Sequence, residues 1–357
     1  MPTVMLTTHC PNACPWCFAG PKMEEYRARG IREMSWDDFL AVVDFHERSG
    51  LRVMVLLGGE PALHSRFLDI LKYLHQRGFS ALVATTGILP GPLVDEMASE
   101  NLPGLEFAVN STPYSQYPED KKRKVDDFLG ALGRSTSIGY TLTERDAVEK
   151  RIEPILDRIA MIMKFGLRRK ILFQIAVPGK RNHLFVPFER YRDAAELLVA
   201  WFRILRRNGI SGGLDCHCMP ACEIPPKQRG TDFFSSRCDP FMIDIGPGLD
   251  VWPCFPLSEQ QVKLTAFHDL RQVQEHFATV HRASRLLYDE RCEDCAERFS
   301  GACDGGCRGF QHLRRPSSGR IAGGEDGPRD PGAHTPQFRM DFEKRGIARR
   351  RRTEAAG

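Results

Sequence analysis

The stretch Val4-Met5-Leu6-Thr7-Thr8-His9-Cys10-Pro11-Asn12-Ala13-Cys14-Pro15-Trp16-Cys17 decides how the rest of the chain is read. Its first half is a short apolar run that reads as a strand over residues 4–8. Its second half presents three thiols on a loop directly after that strand. Three ligands are one too few for a closed tetrahedral site. Iron in a cubane cluster takes one thiolate per iron, so three cysteines leave one iron open to an outside ligand. The competing assignment is structural zinc with His9 as the fourth ligand. Against it, adjacent residues leaving a strand end point apart.

Beyond this loop, short β-branched runs alternate with amphipathic patterns, the signature of βα units around a parallel sheet. Strands are expected at residues 4–8, 52–57, 81–85, 105–109, 138–142 and 171–177. The helix after the first strand is expected to start at Ser35, with Asp38 three residues on, and to stop at Gly50. The others are carried by Phe67, Ile70, Leu71 and Leu74; by residues 93–98; by Val125, Phe128, Leu129 and Leu132; by residues 154–165; and by residues 188–208. Six units are too few for the eight-fold barrel. The expected architecture is therefore α/β, an open, partial (β/α)6 TIM-like barrel over residues 1–209 with its functional loops at the carboxyl ends of the strands. Residues 210–315, dominated by Gly, Pro and Cys, are expected as a small domain organised by metal. Residues 316–357 read as a basic, disordered tail.

Composition narrows the class. The 357 residues are 42% apolar and 27% charged, enough to bury a sizeable core and far from a disulfide mini-protein or a fibrous repeat. Net charge is +4, but residues 314–357 hold 11 basic against 6 acidic side chains, a net +5, leaving −1 for everything before them. No apolar run approaches the roughly 20 residues of a membrane helix. The opening lacks the features of a secretory signal, so a cytoplasmic protein is expected. In a reducing compartment, 12 cysteines point to metal rather than disulfides.

The spacing CxxxCxφC, with Trp16 as the aromatic, resembles the radical S-adenosylmethionine (SAM) superfamily. Gly58-Gly59-Glu60-Pro61, immediately after the second strand, resembles the GGEP stretch of that family. Two residues without Cβ allow a close backbone approach to a ligand, and a carboxylate beside them suits an ammonium. The resemblance implies that Cys10, Cys14 and Cys17 hold a [4Fe-4S] cluster whose open iron takes the amino and carboxylate groups of SAM. It further implies that one electron passed to SAM yields a deoxyadenosyl radical that removes hydrogen from a substrate. Trp16 is then expected near the adenine. Thr86 with Gly87, Asn110, Ser111 and Thr141 are expected at SAM, although each also reads as a strand-end turn or cap. Gln174 faces either the barrel lumen or the outside.

Nine further cysteines follow. Cys238 through Gly248 to Cys254, then Cys292, Cys295, Cys303 and Cys307, resemble the SPASM extension of radical SAM enzymes, and Asp250-Val251-Trp252-Pro253-Cys254-Phe255-Pro256 resembles its hairpin. Two departures stand out: Gly248 is one residue farther from Cys254 than in the family, and no cysteine follows Cys307. The resemblance implies one or two auxiliary [4Fe-4S] clusters. Cys238, Cys254 and Cys307 belong to one, with Cys222 as the expected fourth ligand. Cys292, Cys295 and Cys303 belong to the other, whose fourth position is left among Cys216, Cys218, a side chain such as His312, or the substrate. A zinc ribbon is the competing assignment.

In this class the extension accompanies enzymes that modify ribosomally made peptides or proteins, and such a maturase is the expected function. With Cys10 so near the first residue, no preceding recognition module is expected. One alternative is a small-molecule dehydrogenase or epimerase acting on a sugar or aminoglycoside. An alternative of another class is a zinc-binding nucleic-acid module, which would be expected to spread basic and aromatic residues over one face. The expected partners are a peptide or protein substrate, or a small molecule, and an electron donor such as a flavodoxin or ferredoxin. Neither a membrane nor nucleic acid is expected. No residue is identified as a general base.

Overall fold

Strands β1 (Thr3–Met5), β2 (Val53–Leu57), β3 (Ser80–Thr85), β4 (Leu105–Val109), β5 (Thr136–Leu142), β6 (Lys170–Ile175) and β7 (Ser211–Leu214) pair in chain order, all parallel. The computed structural model describes residues 1–313 apart from 101, 111–113, 179–181, 183, 216–218, 230–233, 235, 237–241 and 284–289. The expected tail at 316–357 lies outside the described residues. The connections are helical: α1 (Gly20–Ala28) and α2 (Trp36–Arg48), α3 (Phe67–Gln76), α4 (Gly91–Glu100), α5 (Glu119–Leu132), α6 (Glu144–Glu149) and α7 (Glu153–Phe165), and α8 (Tyr191–Arg207).

Beyond the six expected units, β7 adds a seventh parallel strand. Ser211-Gly212-Gly213-Leu214 has no β-branched run to announce it. It pairs with β6 all the same, and α8 lies so close that a Cβ on Gly212 would stand 2.4 Å from the Phe202 ring. On the far side of β1 the sheet continues through β8 (Asp244–Gly246), parallel to β1, then antiparallel through β9 (Asp250–Trp252) and β10 (Val262–Lys263). Helices α9 (Leu270–Ala283) and α10 (Ala296–Phe299) follow. The hairpin of the second cysteine group is thus a continuation of the barrel sheet. Among the described residues, no ladder joins β7 to β10.

Burial alternates along β2, β3 and β6 with the two-residue period of a strand, whereas β5 is buried throughout. In β6, Ile171, Phe173 and Ile175 are buried while Leu172 and Gln174 are half-buried. The buried set faces the helices: the Phe173 ring packs on Trp201 and Phe202 of α8 at 5.5 and 5.6 Å. The half-buried set lines the concave side. There Ala84 pairs with Ala108, and Leu172 lies between Gly139 and Gly213. Val53, Val55 and Leu57 of β2 and Leu82 of β3 are half-buried on the same side.

The helices stop where the sequence signals. Gly50, Gly78 and Gly166 all take the left-handed conformation just past α2, α3 and α7. At the start of α2, Ser35 Oγ accepts from the Asp38 amide at 3.1 Å. The Asp38 carboxylate does not complete a capping box but accepts from the Gly248 amide at 2.9 Å, tying α2 to the β8–β9 turn.

Candidate functional site

The loops after β1 and β2 are one piece. The Gly59 amide donates to the Thr7 carbonyl at 2.7 Å and the Glu60 amide to the His9 carbonyl at 2.6 Å. A Cβ on Gly58 would meet the Thr7 carbonyl oxygen at 2.6 Å, and one on Gly59 the His9 carbonyl oxygen at 2.1 Å. The glycine pair is therefore required by the backbone of the cysteine loop itself, a close approach between two chain segments.

Glu60 is fully buried. Its Oε1 accepts from Thr85 Oγ1 at 2.8 Å, and its Oε2 accepts from the Thr86 amide at 2.7 Å and Thr86 Oγ1 at 2.6 Å. Burial raises its pKa, against the pull of these donors. In this arrangement the carboxylate braces the end of β2 to the end of β3, and Thr86 serves it as a partner. Pro61 is buried at the start of the following turn, Pro61–Leu63.

Cys10, Cys14, Cys17 and Trp16 are all half-buried on the first loop. Burial pushes the Cys10 thiol up to about 11 and the Cys14 thiol to about 12, and it raises Cys17 as well. The three sit near enough that charge on one raises another. Lys121 of α5 acts the other way on Cys10 and Cys14, and Arg27 of α1 on Cys17. Both cations also hold the loop: Lys121 Nζ donates to the Pro11 carbonyl at 3.0 Å and Arg27 to the Thr8 carbonyl at 3.3 Å. Asn12 Nδ2 reaches the Tyr117 hydroxyl at 2.6 Å and Cys14 Sγ at 3.2 Å. None of Lys121, Arg27 and Tyr117 has a sequence signal beyond its charge or ring.

A polar row crosses the carboxyl ends of four strands. Asn110 Nδ2 donates to Thr141 Oγ1 at 3.0 Å and to Gln174 Oε1 at 3.2 Å, and Gln174 Nε2 donates to Asp215 Oδ2 at 2.9 Å. Gln174 therefore faces the lumen. Asp215, directly after β7, escaped the sequence reading because the strand before it did.

The second cysteine group approaches the same region. Trp252, fully buried, packs its ring on Tyr26 of α1 and on Phe255, and Phe18, next to Cys17, stacks edge-on to Phe255 at 5.0 Å. Buried Lys22 Nζ lies 5.0 Å from the Trp252 ring and 5.1 Å from that of Tyr26. Buried Asp250 accepts from Tyr26 at 3.2 Å and pairs with Arg29 at 3.2 Å and Lys263 at 2.7 Å. Helix α1, unannounced by any strong periodicity, is the clamp between the two cysteine regions.

Among the later cysteines, Cys307 Sγ lies against Gly309, whose added Cβ would also meet Pro256 next to Phe255. The Ala221 amide donates to Cys303 Sγ at 3.4 Å, and Cys222 and Cys303 act on each other electrostatically. The Ala221–Glu223 turn is also joined to α8, where Arg192 pairs with Glu223 at 3.4 Å. Ser111, Cys216, Cys218, Cys238 and the side chain of His312 lie outside the described residues.

With the geometry in hand, comparison with known proteins is informative. The Radical SAM superfamily pattern matches residues 4–182, half of the chain. PqqA peptide cyclase of Ruegeria pomeroyi is 23% identical over 209 residues, 55% of this chain and 53% of that protein. AdoMet-dependent heme synthase of Nitratidesulfovibrio vulgaris is 20% identical over 333 residues, 85% of each chain. The leading curated relatives are spanned over about half their length or less. Among solved structures, Streptococcus suis SuiB bound to precursor peptide SuiA superposes with a TM-score of 0.64 at 15% identity, covering 88% of this chain and 72% of that chain.

The fold and the cysteine loop define an enzyme built on a partial α/β barrel. The chain belongs to the radical SAM superfamily, whose members use a [4Fe-4S] cluster and SAM. This sets aside the zinc-binding nucleic-acid module. The residues present fit such a cluster. Among the described residues, no three Cys, His, Asp or Glu side chains are arranged around a single ion, and a cubane asks for no such convergence. Thiols raised to about 11 and 12 are protonated at neutral pH, and a bound cation deprotonates them. No helix among the described residues is long and apolar enough to cross a membrane.

Proposed function

We propose that this radical SAM enzyme modifies a peptide or protein, with Cys10, Cys14 and Cys17 as the ligands of its SAM-binding cluster. When bound, that cluster supplies the electron that cleaves SAM to a 5′-deoxyadenosyl radical able to take hydrogen from an unactivated carbon. The chain does the rest. Lys121 and Arg27 favour the thiolates, the Gly59 and Glu60 amides lock the loop, and the clamp around Trp252 holds it against the hairpin. The observation that carries the reading is the union of the three-cysteine loop with the Gly58–Gly59 turn at the carboxyl ends of β1 and β2.

In this proposal Trp16 lies beside the adenine, and Asn110, Ser111 and Thr141 meet the nucleoside from the strand ends. The backbone of Gly58, Gly59 and Pro61 borders the methionine end, with Glu60 and Thr86 bracing it. The later cysteines hold one or two auxiliary [4Fe-4S] clusters, and a flavodoxin or ferredoxin supplies electrons. A peptide substrate is supported by the peptides named for SuiB and PqqA cyclase. A small-molecule substrate is favoured by the heme synthase match, which spans 85% of both chains.

Anaerobically reconstituted protein should hold about 8 to 12 irons if two or three cubanes form and should release 5′-deoxyadenosine with SAM and reductant. Replacing Cys10, Cys14 and Cys17 by Ala should abolish that release; retained release would end the proposal. Incubation with peptides from neighbouring short reading frames, read by mass spectrometry, separates the substrate classes: a mass change on a peptide supports a maturase, and none supports a small molecule.

A further inference from the structure

We propose that Cys222 completes a four-thiolate set with Cys292, Cys295 and Cys303, and that this set holds a closed [4Fe-4S] cluster. The assignment rests on the iron–sulfur reading above and goes beyond it by naming the ligand that replaces the cysteine missing after Cys307.

Two independent contacts bring Cys222 to this set. On one side, the amide of the preceding residue, Ala221, donates to Cys303 Sγ at 3.4 Å. On the other, the following residue, Glu223, pairs with Arg291 at 3.6 Å, and Arg291 directly precedes Cys292. Cys222 is thus tied through its two chain neighbours to Cys303 and to the residue before Cys292. Arg192 of α8 pairs with Glu223 at 3.4 Å and also donates to the Cys222 carbonyl, fixing the turn from behind. The Glu223 side chain is only 11% exposed, so these pairs are more confining than ordinary surface ion pairs.

The remaining members converge through Gly305. Its amide donates to Cys303 Sγ at 3.3 Å, and a Cβ built on it would lie 3.7 Å from Cys292 Sγ. Cys295 follows Cys292 by three residues and stands at the start of α10. Cys292 and Cys303 are buried, Cys295 is half-buried and Cys222 is exposed, so the set runs from the core to the surface. Two amide donors on Cys303 Sγ are the outer hydrogen bonds that stabilise a ligating thiolate. The positive charges of Arg192, Arg291 and Arg298, which donates to the Cys292 carbonyl at 3.3 Å, suit the negative charge of four thiolates around a cubane.

The test removes the amino-terminal site first. In the full chain with Cys10, Cys14 and Cys17 changed to Ala, reconstituted anaerobically with iron and sulfide, the iron that remains belongs to the later cysteines. Adding Cys222→Ala should remove about four irons and four sulfides, leave a three-iron cluster, or leave a cubane with one open iron, each with a changed paramagnetic resonance signal. Cys303→Ala should give the same loss, and the two together no more than either alone. Should Cys222→Ala fail to fold, Cys222→Ser keeps the size and an oxygen donor, and it should alter the paramagnetic resonance spectrum. Four results would overturn the assignment: no iron at all in the parent variant; iron and spectrum unchanged by changing Cys222; loss of iron only when Cys216, Cys218 or His312 is changed; or loss of one zinc without sulfide. Release of 5′-deoxyadenosine by the unaltered protein tests the broader reading separately.

Discussion

The Glu60 amide and the His9 carbonyl meet at 2.6 Å, one residue before Cys10. The turn after β2 and the cysteine loop after β1 therefore move as one body. Gly59→Ala would put a methyl group 2.1 Å from the His9 carbonyl oxygen, and the backbone rather than a flexible side chain would have to yield. The expected cost is about 3 kcal/mol or more. It should appear as a lower denaturant midpoint together with less iron retained after reconstitution.

Glu60→Gln keeps the shape but replaces an acceptor oxygen by a donor where three donors from Thr85 and Thr86 already converge. The Thr86 amide cannot rotate away as the hydroxyls can. The expected loss is about 1 to 3 kcal/mol of stability. A chemical denaturation curve compared with the unaltered protein checks it.

Asp215 can only accept, so it turns the Gln174 NH2 toward itself and leaves Gln174 Oε1 for Asn110 and Thr141. Asp215→Asn offers Gln174 a donor and can reverse the row. SAM should then bind about tenfold more weakly. Adding Gln174→Glu restores an acceptor facing Asn110 and should recover most of the loss, whereas Gln174→Glu alone faces Asp215 with a second carboxylate and should not. Equilibrium SAM binding to the three variants decides.

Lys121 holds down the pKa of Cys10 and Cys14 against burial. Lys121→Ala should raise both further, so thiolate formation during cluster assembly needs a higher pH. The pH midpoint of reconstitution, followed by absorbance, should move upward. A downward or absent shift would contradict the placement of Lys121 beside the loop.

Asp244 on β8 is buried, and burial raises its carboxyl from 3.8 to about 7 even though Thr3 donates to it. The native state then keeps a proton that the unfolded chain releases as pH rises through about 4. This contribution favours folding most below the unfolded value, declines as pH rises and is lost above about pH 7. Asp244→Asn should flatten that dependence, seen as a smaller drop in denaturant midpoint between about pH 5 and pH 8.

The sequence carried much of this fold in plain view. The βα alternation, the helix stops at Gly50 and Gly166, and the cap at Ser35 were legible because each depends on a few consecutive residues. Strand β7 was not, since Ser211-Gly212-Gly213-Leu214 lacks a β-branched run and is a strand through its pairing with β6. Helix α1 is not legible for a related reason: its buried residues Lys22, Met23 and Tyr26 include a charge, which Glu25 at 2.9 Å, Gln261 and the rings of Trp252 and Tyr26 together hold. At the site, the cysteines and the Gly58–Gly59 turn were legible. The reason for the glycines was not, because the carbonyl they approach belongs to another strand.

What the chain determined by itself was its inventory and its local geometry: three thiols on one loop, a glycine pair on the next, and the order in which strands and helices alternate. Covalent spacing sets these, and no distant contact is needed to read them. Only the tertiary structure decided which face of β6 Gln174 takes, that Asp215 ends a polar row, and that Cys222 lies beside Cys303. Those outcomes depend on the burial of Trp201, Trp252 and their neighbours summed over the whole sheet, and residues far apart in the chain meet only where that packing brings them together.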